Sequence, residues 1–243
     1  MNTYKAQGIV LHTLKYGDSS LVAYILTDTA GRQSYMVQGV RSTKGKGKGN
    51  KAALLQPMFL LEFEGIRGGQ SRMDRMKEPK LLYPLQHIPF DIRKSTISLF
   101  MAEVLYKLVR EVEPDSTLFE FVKESVLVLD GLQDGISNFH LWFLVQLSRF
   151  LGFYPANRYC EGDCFDIVEG TFTGTAPEHS MIINRPNSRL LDTMLHHDPH
   201  RLGEIALPHT QRSDFLASLL LYYGYHLDTI HNIQSIKILG ELF

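Results

Sequence analysis

The sequence predicts an α+β protein, a small five-stranded β-barrel followed by a mainly α-helical domain with a small β-hairpin insert. Three observations carry this. Residues 1–80 fall into short β-rich runs with no helical period between them. Beyond Pro84 and Pro89 the apolar residues recur at helical spacing. That spacing lapses between Asn157 and about Arg185, where both cysteines lie. The expected boundaries are 1–82 for the barrel and 83–243 for the helical domain, with the insert near 157–185.

The elements follow in order. Gly8-Ile9-Val10-Leu11-His12-Thr13-Leu14 is a β-rich run closed by the turn cluster Tyr16-Gly17-Asp18-Ser19-Ser20. Leu21–Thr27 and Arg32–Val40, joined by Asp28-Thr29-Ala30-Gly31, read as a hairpin. Further strands are expected from Pro57 to Glu64 and near Arg72–Leu82. Five short strands in about 80 residues are most commonly solved as an OB-type barrel. Ile97, Phe100, Met101, Val104, Leu105, Leu108 and Val112 then form one helical stripe, stopped by Pro114. Leu118, Phe121, Val122, Ser125, Leu129 and Leu132 form a second, with Asp115 or Ser116 as N-cap. A third helix, from about Ser137 to Leu151, is apolar nearly all round and is expected to be central. After the insert, helices are expected over Ser188–Leu195, Ser213–Leu227 and Ser235–Leu242.

Composition narrows the function. With 44% hydrophobic and 21% charged residues the chain is globular rather than disordered. No apolar run approaches the ~18–20 residues that span a bilayer. The N-terminal residues lack an apolar signal core and there are only two cysteines, so cytoplasmic residence is expected. The net charge of −1 conceals a division. Residues 1–80 hold 13 basic and 6 acidic side chains, a balance of +7, and the remainder holds 12 and 20, a balance of −8. The basic part is the natural place for a polyanion such as nucleic acid.

Arg41-Ser42-Thr43-Lys44-Gly45-Lys46-Gly47-Lys48-Gly49-Asn50-Lys51 has five basic residues, three glycines and no apolar side chain. It reads as a mobile basic loop on the barrel. It is no phosphate-binding P-loop, since Gly45-Lys46 and Gly47-Lys48 are each followed by glycine rather than a hydroxyl residue. As a phosphate-backbone contact it makes better sense, because lysines release counterions and glycines let the chain follow an irregular strand. Tyr16, Tyr24 and Tyr35 are candidates for base stacking, though packing is the commoner fate of any one tyrosine. The absence of a nucleophile elbow, a His-Glu-x-x-His helix or a dinucleotide fingerprint weakens an enzymatic reading.

Cys160 and Cys164 offer half of a zinc site at most, and two free thiols are the preferred reading. His196-His197-Asp198-Pro199-His200 has the composition of a metal cluster, but adjacent helical histidines diverge by about 100° and Pro199 breaks the element. Arg212, opening the penultimate helix beside an apolar face, is a candidate receptor for a partner peptide's carboxylate.

Several of these runs resemble one family. Gly8–His12 with Tyr16–Ser20, Thr27–Arg32 and Val37-Gln38-Gly39-Val40-Arg41 are similar to the N-terminal barrel of the bacterial recombination mediator RecO, and Gln56-Pro57-Met58 with Leu60-Leu61-Glu62 continue the match. Leu151-Gly152-Phe153-Tyr154-Pro155 fits that family's helical domain. So does Leu216-x-x-Leu219-Leu220-x-Tyr222-Tyr223-x-x-His226-Leu227, followed by Ser235 and Leu239. The resemblance implies an OB barrel, a helical domain with a zinc-hairpin-like insert, and no enzymatic activity. It implies binding of single- and double-stranded DNA, annealing of complementary strands, and help in loading the RecA recombinase. The implied partners are RecR and the acidic C-terminal tail of the single-stranded-DNA-binding protein. The DNA role would fall to Arg32, Arg41, Lys44, Lys46, Lys48 and Lys51, of which Arg32 and Arg41 lie within matched motifs. Many members carry two cysteine pairs in the insert, whereas this chain has Cys160 and Cys164 alone. No zinc or other cofactor is therefore expected, and the hairpin must hold by packing, through residues such as Phe165, Ile167 and Ile182. An OB module for RNA, in translation or RNA processing, is the alternative, and a metal hydrolase built on His196, His197, Asp198 and His200 is a third class.

Overall fold

A computed structural model describes residues 3–40, 51–69, 73–110, 113–156, 158–175, 177–227, 230 and 232–243. The chain divides into two compact units, Met1–Asp130 and Gly131–Phe243.

The first unit opens with a closed barrel. Its strands are β1 (Thr3–Tyr16), β2 (Ser20–Thr27), β3 (Gly31–Val37), β4 (Leu60–Ile66) and β5 (Asp74–Leu81), with the one-turn helix α1 (Lys51–Leu54) between β3 and β4. The strands close in the order β1-β2-β3-β5-β4. All neighbours are antiparallel except β3 and β5, which run parallel and pair Tyr35 with Asp74 and Met36 with Arg75. This is the OB topology, in which the chain leaves β3, crosses one end and returns beside it two strands later. One strand, β1, serves both edges of the closure. It pairs with β4 from Thr3 to Ile9 and with β2 from Gly8 to Tyr16, and a register shift between Val10 and His12 lets it bend.

Alternation along the strands fills the barrel. Ala6 and Val10, Ala23 and Ile25, Tyr35 and Val37, Leu61 and Phe63, and Met76 point inward and are buried. These side chains fill the barrel interior. Outward residues of β1 such as Ile9 and Leu11 are equally buried, because α2 (Ile92–Leu108) packs on β1. The α2 helix begins five residues before its sequence stripe, where Asp91 caps it by accepting from the Arg93 N–H at 2.9 Å. In α3 (Ser116–Gly131) the expected cap is present: Asp115 Oδ1 accepts from the N–H groups of Thr117 and Leu118, both at 3.0 Å.

The second unit is built on α4 (Phe139–Leu147), preceded by a 3₁₀ turn at 136–138. Every α4 residue except Gln146 is buried, as its all-round apolar sequence requires. Around it lie α5 (Arg185–His196), a 3₁₀ segment at 199–204, α6 (His209–His226) and α7 (Ser235–Leu242). The insert is a hairpin extended to three strands, β6 (Cys164–Asp166), β7 (Thr171–Thr173) and β8 (Ile182–Ile183), in the order β7-β6-β8. Phe165 and Ile167 are fully buried, as expected. Ile182 is only half-buried and Ile183 takes the core position instead. The one-residue correction follows from pleating, since only one of two adjacent strand residues can face inward.

Candidate nucleic-acid interface

The end of β3 is tied to the β1–β2 turn by the Val40 N–H, which donates to the Ser19 carbonyl at 2.9 Å. The far side of the basic segment is anchored at Lys51, whose Nζ donates to the Gln38 carbonyl at 3.3 Å. Arg41, Lys44, Lys46 and Lys48 lie between these anchors and outside the described residues. Lys51 is thus the one predicted lysine that the structure places, at the mouth of the segment.

From Gln38 the outer face of the β3–β5 seam continues the positive surface. Arg75 stands beside Met36 in the parallel register and is exposed. Lys77, two residues on and on the same face, is also exposed and pairs in register with Glu64. At the β4–β5 turn sits Arg67, exposed, with its guanidinium carbon 5.3 Å from the centre of the Tyr4 ring. A polar network ties the end of β4 to the start of β5. The Tyr4 hydroxyl donates to Asp74 Oδ2 at 2.7 Å, and Asp74 Oδ1 accepts from the Gly68 N–H at 2.9 Å. Burial, the Tyr35 hydroxyl and the Asp74 carboxylate together push the Tyr4 phenol far above its ordinary pKa, so it stays a donor. Gly65 leaves room for the ring, since a Cβ there would lie 2.4 Å from Tyr4 Cζ.

Sequence reasoning missed Arg67, Arg75 and Lys77. The signals were present as an arginine before the Gly68-Gly69 turn and a basic i, i+2 pair on a strand. Both are weak beside the density of Lys44–Lys51.

Arg32 occupies a different place. Its Nη1 donates to the Tyr106 carbonyl at 2.6 Å, and its guanidinium lies 5.3 Å from the Tyr106 ring centre. Tyr106 also packs at 4.7 Å on His12 and 5.0 Å on Tyr24, so these four side chains join the β1–β2–β3 face to α2. Burial lowers the His12 pKa against the opposing pull of Glu103, and burial raises that of Tyr106. Of the three candidate stacking tyrosines, Tyr35 is fully buried in the barrel and Tyr24 is half-buried against Tyr106. Only Tyr16, 56% exposed at the β1–β2 turn, offers a free face.

Arg212 is a hub of the second unit. Its Nε donates to Asn138 Oδ1 at 3.3 Å, its Nη1 to the Phe243 main-chain oxygen at 2.5 Å, and its Nη2 to the Leu207 carbonyl at 2.7 Å. Burial lowers its pKa. The family-like run at the end of α6 also turns inward. The Tyr222 hydroxyl donates to the Phe153 carbonyl, the Tyr223 hydroxyl donates to the Leu144 carbonyl, and the His226 ring stacks on Phe153 at 5.2 Å.

The metal candidates do not assemble. Cys160 is exposed, whereas Cys164 is buried with its thiol directed at the Thr173 carbonyl. His196 and His197 bond main-chain oxygens of Asp192 and Arg201. Among the described residues no group of three or more His, Cys, Asp or Glu side chains is placed to hold a metal ion. No helix among them is long and apolar enough to cross a membrane.

Comparison with known proteins agrees with this architecture. The family model described as Recombination protein O N terminal matches residues 1–85, and Recombination protein O C terminal matches residues 89–232. A DNA repair protein RecO of Bacteroides fragilis is 38% identical over 241 residues, covering 98% of both chains. Those of Phocaeicola vulgatus and Flavobacterium psychrophilum are 35% and 32% identical, again over 98% of both chains. With each part of the chain matched by one of the family's two models, and relatives above 30% identity along nearly its whole length, this chain belongs to the RecO family.

Proposed function

We propose that this protein binds single- and double-stranded DNA on the outer face of its barrel, anneals complementary strands, and helps load RecA onto strands coated by the single-stranded-DNA-binding protein. The observation that supports this most is the row of cations, half-buried Lys51 and exposed Arg75, Lys77 and Arg67, along the β3–β5 seam of a barrel whose interior is filled by buried apolar side chains. Arg41, Lys44, Lys46 and Lys48, which lie outside the described residues, are proposed to bind DNA together with that row. Arg32 supports it from behind, holding β3 to α2.

Such a surface suits annealing. Two strands repel through their phosphates, and the repulsion must be screened before bases can pair. Lysines and arginines that contact only the backbone do this while leaving base edges free. The step needs no nucleophile and no cofactor, so the protein acts as a mediator rather than an enzyme. RecR and the acidic tail of the coating protein are its proposed protein partners, the tail being received near Arg212. The action on DNA implies a cytoplasmic location.

Anisotropy of a labelled ~30-nucleotide DNA strand, titrated across a salt series, tests the proposal. The expected result is tight binding whose log K falls steeply with log salt. Tighter binding to RNA of equal sequence would point instead to an RNA module, because only RNA offers the 2′-hydroxyl.

A further inference from the structure

One end of the outer β1–β2–β3 face is apolar where a solvated sheet should be polar. Thr13 and Lys15 pair with Ala23 and Leu21 on the core side of β1, while Leu14 and Tyr16 point outward. The usual order of a half-solvated strand, apolar inward and polar outward, is reversed there. Leu14, Val22, Met36 and Arg75 stand opposite one another in a single row across β1, β2, β3 and β5. Leu14 is 45% exposed, and Tyr16, one step along its strand face, 56%. Met73, just before β5, is exposed as well, while Val22 is buried and Met36 half-buried within the row. The other half of the face, at His12 and Tyr24, is packed against Tyr106 of α2. An exposed apolar strip of this kind marks an interaction surface. Its three gaps between strands, at ~4.8 Å each, make about 14 Å. That is about four nucleotides at the ~3.4 Å rise of a stacked strand.

We propose that this strip is a base-stacking platform: unpaired bases of the bound strand lie on Tyr16, Leu14 and Met36 while their phosphates face Arg75 and Lys51. The inference rests on the DNA reading of the basic row and deepens it, by naming what makes the barrel prefer one class of strand. Continuity with the cations commits the strip to nucleotides. Its row ends on the Arg75 guanidinium, and Lys51 Nζ bonds the carbonyl of Gln38, two residues past Met36. Every base has a π-face, so a ring and apolar side chains hold it without regard to sequence. A duplex keeps its base faces in its own stack and meets only the cations. An unpaired strand meets both surfaces and binds more tightly. Stacking takes the faces of the bases and leaves their pairing edges free, which is the state a strand needs before annealing.

The test titrates a labelled oligo-dT strand, an abasic strand of the same length and a duplex into the full chain and into two variants. One combines Leu14→Thr with Tyr16→Ser, and the other is Tyr16→Trp. The double variant should bind oligo-dT about ten-fold or more weakly than the parent, with the salt slope unchanged because no phosphate contact is lost. It should bind the abasic strand and the duplex as the parent does, which also reports that its barrel is folded. Tyr16→Trp keeps a stacking face and should bind oligo-dT at least as tightly as the parent. Equal affinity of parent and double variant for oligo-dT would overturn the platform, leave the phosphate contacts standing and give the strip to an apolar protein segment. So would a parent chain that binds abasic strand as tightly as oligo-dT, or a double variant equally weakened on all three ligands. No binding of any of the three by the parent at low salt would overturn the DNA reading itself.

Discussion

The barrel and the three-stranded insert are both small sheets in one chain, yet they are stabilised in opposite ways. In the barrel, strands of seven to fourteen residues close on themselves, and every strand pairs with two neighbours. Its core is its own, made by inward residues of all five strands. The insert has strands of two and three residues. Such ladders are too short to stand in water. It is held from outside instead: Phe165 packs edge-on against Phe172 and Tyr222 at 5.1 Å each, and His226 of α6 bonds the Ile167 carbonyl at 3.0 Å. A sheet with a closed ladder can carry a binding function on its outer face. A sheet borrowed from a helix cannot lose that helix.

The largest expected effect breaks the borrowed sheet. Phe165→Ala should destabilise the second unit by about 3–5 kcal/mol, since a fully buried ring is lost between two others. Thermal unfolding would show this, while DNA affinity measured below the transition stays at the parent value.

Next is a contact within the first unit. Asp130 accepts from the N–H groups of Gln86, His87 and Ile88 at 2.7–2.8 Å, and Lys94 Nζ donates to the Asp130 carbonyl at 2.6 Å. Burial alone would raise the Asp130 pKa, but the three N–H groups outweigh it and leave it below the ordinary carboxylate value. A depressed pKa contributes stability that is present above the unfolded value, near 4, and is lost as pH falls through the folded one. Asp130→Ala should cost about 3 kcal/mol at neutral pH by leaving buried donors unpaired, and the cost should shrink in acid. A denaturant series at two pH values checks both statements.

A smaller effect sharpens the barrel's side of the comparison. Gly65→Val places atoms where the Tyr4 ring stands and should cost about 1–3 kcal/mol. Because Tyr4 also supports Arg67, DNA affinity should fall in step with stability, unlike in Phe165→Ala.

These contrasts explain what the sequence disclosed. Alternation and helical spacing are local, so the five strands were legible, as was α7, which spans the expected Ser235–Leu242. The partners of Arg32 and Arg212 were not. Tyr106 lies 74 residues beyond Arg32, and Asn138 lies 74 before Arg212, so nothing near either arginine announces its bonds. Both read from sequence as available cations. The third strand of the insert was hidden for the same reason: Phe165–Val168 and Met181–Ile183 read as β-like runs, whereas Thr171–Thr173 becomes a strand only by pairing with Cys164–Asp166. Basic side chains are legible when they cluster, as in Lys44–Lys51, and obscure when a barrel seam collects them singly, as with Arg67 and Arg75.

The central claim is that DNA lies along the barrel's basic row and is held there by its phosphates. The direct test compares salt slopes of single-stranded DNA binding for the parent chain, for Lys44, Lys46, Lys48 and Lys51 all changed to Gln, and for Arg67 and Arg75 changed to Gln. Each lost contact should reduce the slope by about 0.7, so the first variant loses up to about 2.8 and the second about 1.4, with folding unchanged. Slopes equal to the parent's in both variants would contradict the account and place the DNA elsewhere on the protein.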